Sequence, residues 1–262
     1  MNSKETQMQQ GLTQLRTRLL VMAAAVGIAV DEACAALATG NTGRAIAVVD
    51  GDASINLMEN EIDEMALSLL VRNQPVAQDL RMVVGALRMV IDLERIGDEA
   101  ANIAERAMVL QEKLPEEVMR AVKELMETAG DAYRKAIAAF RNEDAATALA
   151  IIENETECAQ KEVKVLHHIM DDFCSGGASG YNGHNGQSEQ SAKSGQTGQG
   201  GQSEHAEQNS RGGRNGKSQM GMHGILISRS LSRICRRSAN IAEHVYFIAK
   251  GVNIKHSPLP ER

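Results

Sequence analysis

Apolar residues return every three or four positions along most of this chain, the spacing that gathers them on one side of an α-helix. Breaker residues divide the pattern into six predicted helices. The first covers about residues 5–38 and stops near Gly40 and Gly43. The second covers about 44–71 and gives way to Arg72-Asn-Gln-Pro75. The third starts after that proline and reaches about Lys113. Pro115 then falls in the first turn of the fourth, where a missing N–H breaks no helical bond, and that helix continues to about Arg141. The fifth covers about 144–173, and the sixth about 223–250, ending at Gly251, a residue suited to a left-handed cap.

Between the last two helices, residues 175–221 are dense in Gly, Ser, Gln and Asn and nearly free of aliphatic side chains. Such a stretch cannot bury enough apolar surface to offset chain entropy, so disorder is predicted there. His184, His205 and Tyr181 make it a candidate ligand-binding tail; the plainer expectation is a tether.

The chain repeats itself. Leu93-Glu-Arg-Ile-Gly-Asp-Glu-Ala-Ala-Asn-Ile-Ala-Glu105 returns as Leu231-Ser-Arg-Ile-Cys-Arg-Arg-Ser-Ala-Asn-Ile-Ala-Glu243. The signature falls on the third helix and again on the sixth, so each half of the chain is one copy of a three-helix unit. The predicted fold is all-α: two tandem antiparallel three-helix bundles, residues 1–113 and 114–255, the second carrying the 175–221 insertion. Within the repeat, Glu94 and Asp98 give way to Ser232 and Arg236.

Composition agrees with helices. Aromatics are 2 % of residues, there is no Trp, and 13 Met leave a core of Leu, Ile, Val, Ala and Met. A net charge of −6 argues against a nucleic-acid partner, which calls for a basic face. The longest apolar run, Leu19 to Val30, is about half a membrane span and ends at Asp31-Glu32, so a buried helix is expected rather than membrane insertion. The N-terminal residues are polar, without the pattern of a secretory leader. The four cysteines (34, 158, 174 and 235) include no Cys-x-x-Cys pair, and reduced thiols are expected.

Chemistry concentrates on carboxylates. Glu59 and Asp63 are four apart on the second helix, and Glu94 and Asp98 four apart on the third, so each pair shares a face. Asn102 and Glu105 extend the third-helix face. Two such faces on neighbouring helices repel, and a hard cation relieves that repulsion through oxygen ligands. Alternatively, Arg88, Arg95 and solvent neutralise them. His167 and His168 adjoin on the fifth helix, so only one can share a face with His244 or the acids. No nucleophile–base arrangement or phosphate-cradling glycine loop is present, and Arg44, Arg72 and Arg81 form no group.

The run Asp52-Ala-Ser-Ile-Asn-Leu-Met-Glu-Asn-Glu-Ile-Asp63, followed by Arg72-Asn-Gln-Pro75, Asp79-Leu-Arg81 and Leu93-Glu-Arg-Ile-Gly-Asp98, resembles the PhoU family of phosphate-uptake regulators. The resemblance covers nearly the whole chain apart from the insertion. It implies paired three-helix bundles and a non-enzymatic, cytoplasmic negative regulator of the phosphate regulon and of phosphate import. The implied protein is a homodimer, peripherally associated with the transporter complex. It would be an adaptor between two partners, the ATPase subunit of the phosphate ABC transporter and a phosphate-sensing histidine kinase. It also implies an iron or zinc cluster. Carried over by position, the ligands are Glu59, Asp63, Glu94 and Asp98, with Asn56 and Asn102 beside them, all in the first bundle.

At the sixth helix the family's second acidic pair falls on Ser232 and Arg236, so no second cluster is expected. Arg229, Arg233 and Arg237 are spaced four apart beside Arg236. If Glu153, Glu155, Glu157 or Glu162 of the fifth helix faces them, Arg236 supplies the charge that a metal supplies in the first bundle. Two other readings stand beside the regulator. One is a helical-bundle metalloenzyme with a carboxylate-bridged metal, which would call for Glu-x-x-His motifs that the chain lacks. The other is a diverged relative that has lost the regulatory role.

Overall fold

The computed structural model describes residues 3–110, 113–154, 156–177 and 204–254. Among the described residues every regular element is a helix. Helix α1 (Ser3–Thr39) ends at Gly40, whose φ of 72° is the left-handed conformation that glycine adopts without strain. Asn41 caps α2 (Thr42–Asn73), its side chain accepting from the Arg44 N–H at 3.2 Å. Gln74, left-handed at φ 49°, and Pro75 end that helix and turn the chain into α3 (Ala77–Val109). Helix α4 (Glu116–Asn142) follows, with Pro115 at its N-cap.

The expected fifth helix is two. Asp144 caps α5 (Ala145–Glu153) by accepting from the N–H groups of Ala146 and Thr147. At Asn154 the backbone leaves the helical region and the side-chain amide donates back to the Ala150 carbonyl at 2.8 Å, after which α6 (Thr156–Gly177) begins. An Asn that satisfies its own backbone in this way competes with the helix ladder. No Gly or Pro marks the break, so periodicity runs straight through it.

The last helix, α7 (Glu204–Lys250), is longer than expected. It starts well before His223, and α6 runs to Gly177 rather than stopping near Phe173, so both helices enter the stretch whose composition predicts disorder. Residues 178–203, with His184 and Tyr181, lie outside the described residues, as does the side chain of His205. The end of α7 is as predicted: Gly251 has φ 74° and its N–H reaches the Phe247 carbonyl at 2.8 Å.

Helices α1, α2 and α3 pack on one another as one bundle, and α4, α5, α6 and α7 as the other. The bundles join through α3 against α7 and, less extensively, α1 against α4. The repeated signature supplies matching core positions. Leu93, Ile96, Ile103 and Ala104 are fully buried, and so are Leu231, Ile234, Ile241 and Ala242. Truncating either leucine to Ala removes contacts worth about 2–5 kcal/mol. Two glycines set how closely the bundles approach. A methyl group on Gly85 would lie 2.5 Å from the Ile248 side chain, so the bare α-carbon of α3 makes room there for that α7 side chain. On the second contact, the Tyr133 hydroxyl donates to the Ala23 carbonyl at 2.6 Å and its ring lies against Gly27.

Helix α1 is long and apolar enough to cross a membrane. Its side chains Leu15, Leu19, Met22, Val26 and Ala33 nevertheless belong to the protein core.

Candidate functional site

Helices α2 and α3 are neighbours in the first bundle, and their acids meet along the contact. Glu59 feels Asp63 and Asp98; Glu94 feels Asp98 and Glu59. Across the contact the structure sets Glu59 against Glu94 and Asp98, while Asp63 couples only to Glu59 on its own helix. It adds Asp52, two turns before Glu59, which feels Asp98 and Glu105.

Glu94, Asp52, Glu59 and Asp63 resist ionisation. Burial and then the Asp98 and Glu59 charges push Glu94 up to about 7, and when protonated Glu94 donates a hydrogen bond to Asp98. Asp52 is raised by burial first and then by Asp98. Glu59 is raised by burial and then by Asp63, and Asp63 by burial. Arg95 opposes the effect at Glu59 and Glu94 without cancelling it. Arg88, the other neutralising candidate, instead lies 5.3 Å over the Phe247 ring on α7.

Two oxygens of this face are buried without a hydrogen-bond donor, Oδ1 of Asp52 and Oδ1 of Asn56. The Asn56 amide itself donates to Asp52 Oδ2 at 3.3 Å. Orphaned oxygens beside mutually repelling carboxylates fit a hard cation in donor type and in charge. Among the described residues, however, no three His, Cys, Asp or Glu side chains are already gathered closely enough to hold one. A cation would have to draw the acids inward. Asn102 is half-buried further along α3. Its repeat counterpart Asn240 donates to Asp92 in the seam between the bundles.

That seam holds a second polar cluster, which the sequence pattern does not reveal. Asp92 is 5 % exposed and accepts from Arg237 and Asn240 on one oxygen, both at 3.1 Å. Its other oxygen lies 3.0 Å from His244 Nε2. Despite the desolvation that works against ionisation, these bonds hold the carboxyl below its ordinary value. One turn or two along α3, Arg233 pairs with Glu99 at 3.0 Å. The available signal was one acid inside the apolar run Met89-Val-Ile-Asp-Leu93.

The seam corrects the expected role of Arg236. That side chain is exposed, and among the described residues it pairs with no acid of α5 or α6. The cations of α7 that find acids are its neighbours Arg233 and Arg237, and they reach α3. The physical reason is helical phase: 233 and 237 lie four apart on the α3-facing side, and 236 points off it. Glu157 is answered by Lys161 on its own helix at 2.8 Å, and Glu155 lies outside the described residues. His167 is exposed, while His244 is engaged with Asp92.

The cysteines depart from expectation too. Cys158 on α6 and Cys235 on α7 are joined in a disulfide, leaving Cys34 and Cys174 free.

Fold and site together define a duplicated helical-bundle protein with an oxygen-lined acidic face. A family profile described as the PhoU domain matches residues 19–107, most of the first bundle. The chain belongs to the PhoU family. It is 32 % identical over 165 residues to the phosphate-specific transport system accessory protein PhoU homolog of Aquifex aeolicus, covering 62 % of this chain and 75 % of that one. The similarly named protein of Pseudomonas putida is 37 % identical over 169 residues, covering 62 % of this chain and 65 % of the relative. The crystal structure of PhoU from Pseudomonas aeruginosa superimposes with a TM-score of 0.73 at 27 % identity, over 93 % of this chain and 99 % of that one. The phosphate transport system regulatory protein PhoU from Streptococcus pneumoniae shares the fold, with a TM-score of 0.73 at 19 % identity, covering 95 % and 99 %. These relatives are named as accessory and regulatory proteins.

Proposed function

We propose that this protein is an accessory regulator of phosphate uptake, acting in the cytoplasm as an adaptor that restrains the phosphate transporter. It would dock on the transporter's ATPase subunit and on a phosphate-sensing histidine kinase, shifting which states they populate. Support comes from the relatives' names and from a likeness that runs through both bundles. In this reading the protein works as a dimer and its membrane association is through its partners.

The α2–α3 acids are the proposed cation site. Glu59, Asp63, Glu94 and Asp98 would hold iron or zinc, with Asn56, Asn102 and Asp52 alongside. The metal would supply positive charge between two helices that otherwise repel. The observation that carries this is the set of uncompensated carboxylates with two orphaned oxygens beside them. The metalloenzyme reading gains nothing from the structure, because His244 is engaged with Asp92.

Elemental analysis of the purified chain beside Glu94→Ala, Asp98→Ala tests the site. Stoichiometric iron or zinc that vanishes in the variant is expected; equal metal in both proteins overturns it. The regulatory role is tested in cells lacking their own family member and supplied with ample phosphate. Expression of this chain should lower a phosphate-starvation reporter, and the ATPase subunit should co-purify with it. A reporter that stays high and an ATPase that stays unbound overturn the adaptor reading.

A further inference from the structure

The position that Gly97 holds in the first repeat is Cys235 in the second. In the first bundle this is where α3 approaches α2. A methyl group on Gly97 would lie 3.2 Å from Ile55 and 3.7 Å from Oδ1 of Asp52, beside the acidic face. Cys235 lies on the corresponding turn of α7, and it meets Cys158 of α6. Their Cα atoms are 6.5 Å apart, a span that a disulfide bridges. Both residues are buried, yet both line a cleft of about 550 Å³ whose walls include Thr128, Asp131, Lys135 and Lys161. Small thiols and disulfides therefore have a route to the sulfurs.

The other cysteines do not compete equally. Burial pushes the Cys34 thiol up to about 12, which keeps it protonated and unreactive. Cys174 is exposed near the end of α6.

We propose that Cys158 and Cys235 form a reversible redox staple that cross-links the second bundle at the register where the first bundle presents its acids. The two thiols give up two electrons and two protons to a small disulfide such as oxidised glutathione. The oxidant's sulfur–sulfur bond breaks, the Cys158–Cys235 bond forms, and two glutathione thiols leave. A dithiol reductant reverses the exchange. The staple closes a sequence separation of 77 residues that contains the whole α6–α7 connection, so it restricts the unfolded chain strongly. Cys235 also lies between Arg233 and Arg237, so the stapled turn of α7 is the one that grips α3. The inference is independent of whether the α2–α3 acids bind metal.

The test uses the full chain with a site-specific protease sequence inserted between residues 178 and 203. Cys34, Cys158 and Cys174 then lie on one side of the cut and Cys235 alone on the other. After equilibration with oxidised glutathione, alkylation and cleavage, the fragments should remain joined in denaturant and separate on reduction. Cys174→Ser should remain joined, and Cys158→Ser should separate even when oxidised. Reduction of the uncut protein should lower its melting temperature by about 5 °C or more. Peptide mapping of the unaltered chain makes the same assignment should a variant fail to fold. Fragments that separate after oxidation, a bond that maps to Cys174, or a melting temperature indifferent to reductant would each overturn the staple.

Discussion

The side of α3 that faces α7 and the side that faces α2 both carry carboxylates, but among the described residues it is the first that pairs with cations of the helix opposite. Asp92 and Glu99 meet Arg237, His244, Asn240 and Arg233. Glu94 and Asp98 meet Glu59, which has Asp63 beside it on α2. Burial works against ionisation on both sides. At Asp92 the hydrogen bonds outweigh it and the carboxyl is held down; at Glu94 like charges add to it and the carboxyl is held up at about 7. A buried acid whose partners come from the protein is a structural joint. One whose neighbours are further acids carries a repulsion that those neighbours do not relieve.

The contrast can be broken most severely at the joint. Asp92→Ala leaves Arg237 and His244 facing an uncompensated gap and should cost about 3–5 kcal/mol in urea unfolding. A loss below about 1 kcal/mol would mean that the seam is held by its apolar contacts alone. The pH dependence separates the two sides by sign. Asp92 has a depressed folded-state pKa, so its contribution is present above the ordinary Asp value and is lost as pH falls through the lower folded value. Glu94 is raised, so in metal-free protein its penalty is absent below about 4.5 and grows until about pH 7. Unfolding of the metal-free chain should therefore become easier between those limits by about 1 kcal/mol after solvent screening, and Glu94→Gln should flatten that slope. A slope unchanged in Glu94→Gln would place the titration elsewhere.

A smaller effect is expected from Glu94→Gln, Asp98→Asn at pH 8 without metal. Removing mutual repulsion should stabilise the protein by up to about 1 kcal/mol, the opposite sign to Asp92→Ala. Added zinc should stabilise the parent chain and leave this variant unchanged in a thermal melt. Least of all, Arg233→Ala removes an ion pair whose arginine is 61 % exposed, and a change within about 1 kcal/mol is expected from the same urea titration.

Much of this contrast was legible before the structure. Glu59, Asp63, Glu94 and Asp98 stand out because a four-residue spacing stacks acids on one helical face, a relation contained within single helices. The seam was not legible, because Asp92 and His244 are 152 residues apart and neither belongs to a local pattern. Cys158 and Cys235 escaped for the same reason, although the Gly97-to-Cys235 exchange is visible once the repeats are aligned. The break at Asn154 escaped because a side-chain amide bonding to its own helix leaves the apolar period intact. The two bundles, by contrast, were announced by the repeat itself, whose shared leucines and isoleucines are the core of both.

Helices α3 and α7 are corresponding elements of the two repeats, and they pack against each other where the bundles join. An interface between like elements is the geometry of a two-fold dimer, in which every contact is made twice and every mutation strikes both sides. Here the two halves are on one chain. Asp92 has Ser230 as its counterpart, and Arg237 has Glu99. A buried charge can thus enter the seam once, without a second copy confronting it across the axis. On one chain, equivalent positions of the two repeats carry different residues, and each side of the contact has its own task.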